Sequence, residues 1–135
     1  MSPAIIYNVH ISNRGWRGPF QNGQFAGTIG QSEAIEAITI TVSDPSYVVS
    51  YRVYQKNDGW GLWVVNGQEA GSTGQGIPLE AIEIQLTAGP PGIGVVYQAF
   101  CQNIRWQSWV MDGLIAGTTG QTLSLEGIQI ALAYT

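Results

Sequence analysis

The side chains able to act as nucleophiles, bases or metal ligands are few in this sequence. His10 is its one histidine and Cys101 its one cysteine. One histidine excludes a multi-histidine metal site. One cysteine excludes an internal disulfide framework and a cysteine-based zinc site. Covalent catalysis needs a nucleophile and a base oriented against each other, and no Ser-His-Asp or Cys-His set offers that pair. What the sequence has instead is indole: Trp16, Trp60, Trp63, Trp106 and Trp109. The electron-rich face of an indole stacks on the C–H face of a sugar ring, and neutral amides such as Asn and Gln pair with its hydroxyls. The expected chemistry is recognition of uncharged, hydroxylated molecules, without a catalytic step.

The same residues recur in register. Three copies, residues 7–42, 51–86 and 97–132, align without gaps. The linkers between them carry Asp44-Pro45 and Gly89-Pro90-Pro91-Gly92. Tyr7/Tyr51/Tyr97, Asn13/Asn57/Asn103, Trp16/Trp60/Trp106 and Glu36/Glu80/Glu126 are identical in all three, as are Gly23/Gly67/Gly113 and Gly27/Gly71/Gly117. A fixed period of this length marks a repeat architecture in which each unit meets the same folding problem. The 135 residues read as one domain of three repeats, 1–135, too short for two ordinary domains.

The elements that must position these residues are strands. Ile82, Ile84 and Leu86 alternate with Glu83 and Gln85, and Ile38/Ile40/Val42 and Ile128/Ile130/Leu132 repeat the pattern. This is the period of a strand with one buried face. Asn66-Gly67 and Asp112-Gly113 stand between strand-like residues, as does Asn22-Gly23, and such pairs select a type I′ hairpin turn. The second copy therefore reads as four strands, 51–56, 60–65, 68–71 and 78–86. Every window is broken by Gly or Pro or is rich in β-branched residues, so no ordinary helix is expected. The fold class is all-β and pseudo-threefold with about twelve strands. A β-prism is preferred, because all four strands of a copy read as members of one sheet. A β-trefoil is the alternative.

Composition narrows the partners. Only 10% of residues are charged and the net charge is −4, which disfavours a nucleic-acid groove or an electrostatic hold on anionic lipid. No apolar run reaches the length of a membrane-spanning helix. The N-terminus, MSPAIIYNVHISNRGW, lacks the pattern of a signal peptide. That leaves a cytoplasmic location, or export by a route without such a peptide, both open.

The string Trp-x-x-Trp-Val-x-(Asn/Asp)-Gly-x-x-Ala-Gly-(Thr/Ser)-Thr-Gly-Gln, followed by Leu-Glu-(Ala/Gly)-Ile-x-Ile-x-Leu, spans Trp60–Leu86 and Trp106–Leu132. It resembles the clostridial hydrophobic repeat with its invariant Trp. The first copy departs from it, with Pro19 in place of the second Trp and Ser32-Glu33-Ala34 before Ile35. The resemblance implies a module for surface or carbohydrate contact. Three-repeat members resemble bacterial haemagglutinins and lectins that bind simple sugars.

Each candidate residue has a plainer reading beside the functional one. His10 aligns with Tyr54 and Phe100, so surface packing is expected of it. Cys101 falls on the inward parity and is expected to be an inert, partly buried thiol. The invariant glutamate shares parity with the apolar residues that follow it, so it is expected to point inward. There it would either bond loop N–H groups to offset its desolvation or bind a ligand. Asn22, Asn66 and Asp112 are explained by the turn itself, or can accept sugar hydroxyls. Trp60 and Trp63 lie three apart, as do Trp106 and Trp109, so in an unbroken strand they face opposite sides. Trp16, Trp60 and Trp106 are expected in the core, with Trp63 and Trp109 at the surface as binding residues or as packing between units.

The expected carbohydrate-binding residues are Trp16, Asn22, Trp60, Trp63, Asn66, Trp106, Trp109 and Asp112. They would form up to three metal-free, cofactor-free sites for neutral mono- or oligosaccharides and glycoconjugates, with avidity from several weak sites on one body. A protein-interaction or self-assembly module, built as a homo-oligomer on the same hydrophobic surface, is the second reading.

Overall fold

Alternation of apolar and polar residues produces the strands. In the computed structural model, which describes residues 2–134, the first strand β1 (Ile5–Ile11) buries Ile5, Tyr7, Val9 and Ile11 and leaves the residues between them half-buried. Each copy opens with such a strand, the other two being β5 (Val48–Gln55) and β10 (Ile93–Cys101). Each closes with another, β4 (Ile35–Val42), β9 (Leu79–Ala88) or β14 (Leu125–Tyr134). These pair antiparallel as β1–β4, β5–β9 and β10–β14.

The outer edge of each sheet is β2 (Gly15–Gln21) in the first copy. In the others it is two short pieces, β6 (Gly59–Trp60) with β7 (Val64–Val65), and β11 (Arg105–Trp106) with β12 (Val110–Met111). A further short strand follows in each copy: β3 (Ala26–Gly27), β8 (Ala70–Gly71) and β13 (Ile115–Gly117). Among the described residues fourteen strands form, two more than the twelve expected, because the outer strand is split in two copies.

The turns are as the sequence implies. Asn22-Gly23, Asn66-Gly67 and Asp112-Gly113 all take positive φ at both residues, as a type I′ turn requires.

The fold is all-β, three antiparallel sheets around a pseudo-threefold axis with no closed barrel, and so a prism. In one respect the expectation of four strands per sheet from one copy is overturned. The short strand of each copy pairs with the closing strand of a neighbour: β3 with β14, β8 with β4 and β13 with β9. The copies thus close a ring by exchange. Gly27, Gly71 and Gly117 are invariant for this reason. A Cβ at Gly117 would stand 2.3 Å from the Glu80 carbonyl oxygen of the copy before it, and φ there is +100°.

Tyr7, Tyr51 and Tyr97 sit at the centre and are fully buried. A buried phenol needs a partner for its hydroxyl, and each of these has two. Tyr51 donates to the Gln68 carbonyl of its own hairpin and accepts from the Ile40 N–H of the previous copy at 3.0 Å. Tyr97 does the same with Leu114 and Ile84, and Tyr7 with Gln24 and Ile130. Cys101 is fully buried, and burial pushes its thiol up to about 11. Among the described residues no helix is long and apolar enough to cross a membrane.

Candidate functional site

The outer faces of the three sheets carry the indoles. None of the five is in the core: Trp63 is 40% exposed and Trp109 46%, and Trp16 and Trp106 are exposed as well. The expectation that Trp16, Trp60 and Trp106 are core residues is therefore wrong. The cause is a bulge that a period-two reading cannot see. Tyr54 faces Trp60, and Tyr51 faces Val64, so three steps on β5 span four on the outer strand. One extra residue reverses the side on which the chain points its side chains. Trp60 and Trp63 consequently share the outer face. The same shift separates the Phe100–Trp106 pair from the Tyr97–Val110 pair, and in the first copy it falls between Tyr7 and Val9.

In the second copy the shelf is built around Arg52. Its guanidinium carbon lies 4.5 Å from the Trp60 ring centroid and 5.1 Å from that of Trp63. Glu83, opposite it on β9, accepts from Arg52 Nε at 3.2 Å and from Nη2 at 2.8 Å. A guanidinium between two rings holds both in place. The other copies have neutral residues there. Asn8 donates to Thr39 Oγ1 at 3.4 Å, and Gln98 donates to the Gln107 carbonyl at 2.8 Å.

Each invariant Trp also meets the outward aromatic of the opening strand edge to face. The centroid distances are 5.4 Å for Trp16 with His10, 5.5 Å for Trp60 with Tyr54 and 5.3 Å for Trp106 with Phe100. Trp106 has a second such neighbour, Phe25 of the first copy, at 5.4 Å.

Asn22, Asn66 and Asp112 do not join this face. Their Oδ1 atoms accept the backbone N–H of Ile5, Val49 and Val95 at 3.1, 3.0 and 3.0 Å. They tie each hairpin tip to the start of its own sheet.

The invariant glutamates stand at a second bulge. Tyr54 pairs with Ala81 but Gln55 with Leu79, which leaves Glu80 as the extra residue. Glu36 and Glu126 occupy the same place in their copies. The carboxylates therefore do not continue the inward row, contrary to the parity reading, and among the described residues their side chains bond no loop N–H. Glu36 meets His10 Nδ1 at 3.0 Å, a partner that the sequence did not suggest. Glu80 and Glu126 instead border two clefts at the junctions between copies. Loss of water raises the Glu126 carboxyl above its ordinary value. A signal for this bulge was present in the sequence. Leu79 and Ile82 are both apolar and three apart, so an unbroken strand cannot bury both, yet both are buried.

No curated protein and no solved structure matches the chain. The sequence model described as Clostridial hydrophobic W matches it three times, over residues 10–44, 55–88 and 100–133. Each match takes in one bulge glutamate and the invariant tryptophan of one copy. Together the matches cover well over half of the residues, and the chain belongs to the Clostridial hydrophobic W family.

Proposed function

We propose that this protein is a carbohydrate-binding protein, a lectin, whose three sheet faces hold neutral sugars on tryptophan shelves without metal or catalysis. The observation that carries this reading is the position of the indoles. All five lie on outer faces, four of them exposed and Trp60 half-buried, and a folded chain gains nothing by exposing indoles there. The Trp60–Arg52–Trp63 stack fixes two rings as a preformed platform, which lowers the ordering cost of binding. Asn8 and Gln98 take the place of Arg52 on the neutral faces. Pro19 stands where Trp63 and Trp109 stand, so the first face is the weakest of the three.

A glycan array with the wild-type chain and the variants Trp63→Ala and Trp109→Ala tests this. Binding to immobilised neutral glycans should fall at least tenfold in each variant, because loss of one face costs avidity. Unchanged binding would remove the shelves from the site.

Self-association is favoured by one observation, Leu62 at 88% exposure beside Trp63. If light scattering shows a defined oligomer, and no glycan on the array is retained, that second reading replaces the first.

A further inference from the structure

The buried acids of this protein fall into two groups. Glu36 is paired with His10, and Glu83 with Arg52. Glu80 and Glu126 are 2% and 5% exposed, and neither carboxylate forms an ion pair or hydrogen bond among the described residues. Their oxygens are not sealed off from water: each carboxylate opens onto the cleft that it borders. Two acceptor-only groups left open to a cleft, at equivalent places in one chain, point to a ligand that donates hydrogen bonds.

The surroundings agree. Glu80 borders a cleft with Tyr54, Lys56, Asn57, and with Gly120 and Thr122 from the next copy. Glu126 borders one with Phe100, Asn103, Arg105, and with Gly30 and Ser32 from the first copy. The two share an aromatic ring, an asparagine, a hydroxyl and a glycine at corresponding positions. Their volumes, about 390 and 310 Å³, lie at the small end for ligand pockets and suit one ring.

We propose, resting on the lectin reading above, that these two junction clefts are the hydroxyl-reading subsites. Each takes the terminal ring of a neutral glycan, with two adjacent free hydroxyls donating to Glu80 or Glu126. The ring then continues onto the shelf through Tyr54 and Trp60, or Phe100 and Trp106, which already touch edge to face. The Glu80 cleft also holds Asp58 and Lys56, and the Glu126 cleft holds Arg105, so a cationic ligand meets a like charge in each and an anionic one meets the carboxylates. An uncharged diol meets neither objection and supplies two donors to an acceptor-only group. In the first copy His10 replaces the aromatic and occupies Glu36, so that subsite is closed and the chain has two such sites.

The test is titration calorimetry with methyl glycosides of galactose, glucose, mannose and fucose, and with their monodeoxy analogues, on the wild-type chain, Glu80→Gln, Glu126→Gln, the double variant and Glu36→Gln. The expected stoichiometry is two. Each single variant should lose one site, the double variant both, and Glu36→Gln neither. Removing either of the two adjacent hydroxyls from the sugar should weaken binding at least tenfold. Amide shifts of Tyr54 and Thr122 in the wild-type chain give a readout that needs no variant to fold. A double variant that binds like wild type overturns the subsites. If Trp63→Ala and Trp109→Ala still weaken array binding at least tenfold in that case, the lectin reading stands and only this inference fails. If the wild-type chain binds neither these glycosides nor any glycan on the array, both fail.

Discussion

The hydroxyl of Tyr51 accepts the backbone N–H of Ile40 at 3.0 Å, so a side chain of the second copy ends on the closing strand of the first. The equivalent bonds from Ile84 to Tyr97 and from Ile130 to Tyr7 complete a ring of three. The backbone reinforces it. The Gly67 N–H reaches the Ile40 carbonyl at 2.7 Å, and Gly113 and Gly23 reach Ile84 and Ile130 at the same distance. The exchanged strands and these bonds make the shelves parts of one rigid body. Multivalent recognition by weak sites needs such a body.

Tyr51→Phe should therefore destabilise the chain by about 1–3 kcal/mol, since it leaves the Ile40 N–H without its phenol partner in the core. Tyr54→Phe, on the outer face, should change stability by less than about 0.5 kcal/mol. Urea unfolding of the two variants checks the pair. Equal effects would show that the central phenols do not join the copies.

The copies are not interchangeable where the ring closes. Gly127 stands where the other copies have Ala37 and Ala81, and a Cβ there would lie 2.3 Å from the Phe25 ring of the first copy. That ring is also held edge to face by Trp106. Gly127→Ala should cost about 1–3 kcal/mol through overpacking. The cost should largely vanish in a Phe25→Ala background. A double-mutant cycle measures the coupling, and a coupling near zero would mean that β3 does not lie on β14.

The response to alkali follows from burial. Withdrawal from water pushes the Tyr51 and Tyr97 phenols from 10.0 to about 12, and the Cys101 thiol from 9.0 to about 11. Each folded value lies above its unfolded one, so in alkali the folded chain holds more protons than the unfolded chain. Stability from these groups is complete below about pH 9 and is lost as pH rises toward about 12, the thiol first and the phenols after it. Urea midpoints measured from neutral pH upward should hold steady and then fall with increasing slope. A flat profile through pH 11 would contradict the burial of these groups.

What could be read from the sequence was whatever period two governs. Ile38, Ile82 and Ile128 lie in the core as their alternation implies, and the Asn-Gly and Asp-Gly turns form where expected. What could not be read was whatever the two bulges reverse. Trp60 and Glu80 both came out on the wrong side, because one inserted residue moves every later side chain to the other face. The strand exchange was hidden for another reason. A two-residue strand such as Ala70-Gly71 has the same local pattern whether it pairs within its copy or with its neighbour. The Arg52 stack was missed because Arg52 and Trp63 are distant in sequence, and only the bulge brings them together.

The central claim is that outward indoles hold the sugar. Its most direct measurement is a nitrogen–proton correlation spectrum of the side-chain indole N–H groups, recorded while an array-positive glycan is titrated in. The account predicts saturable shifts for Trp60, Trp63, Trp106 and Trp109, with the backbone amides of Ile82 and Ile84 unmoved. A glycan that binds while every indole resonance stays in place would contradict it.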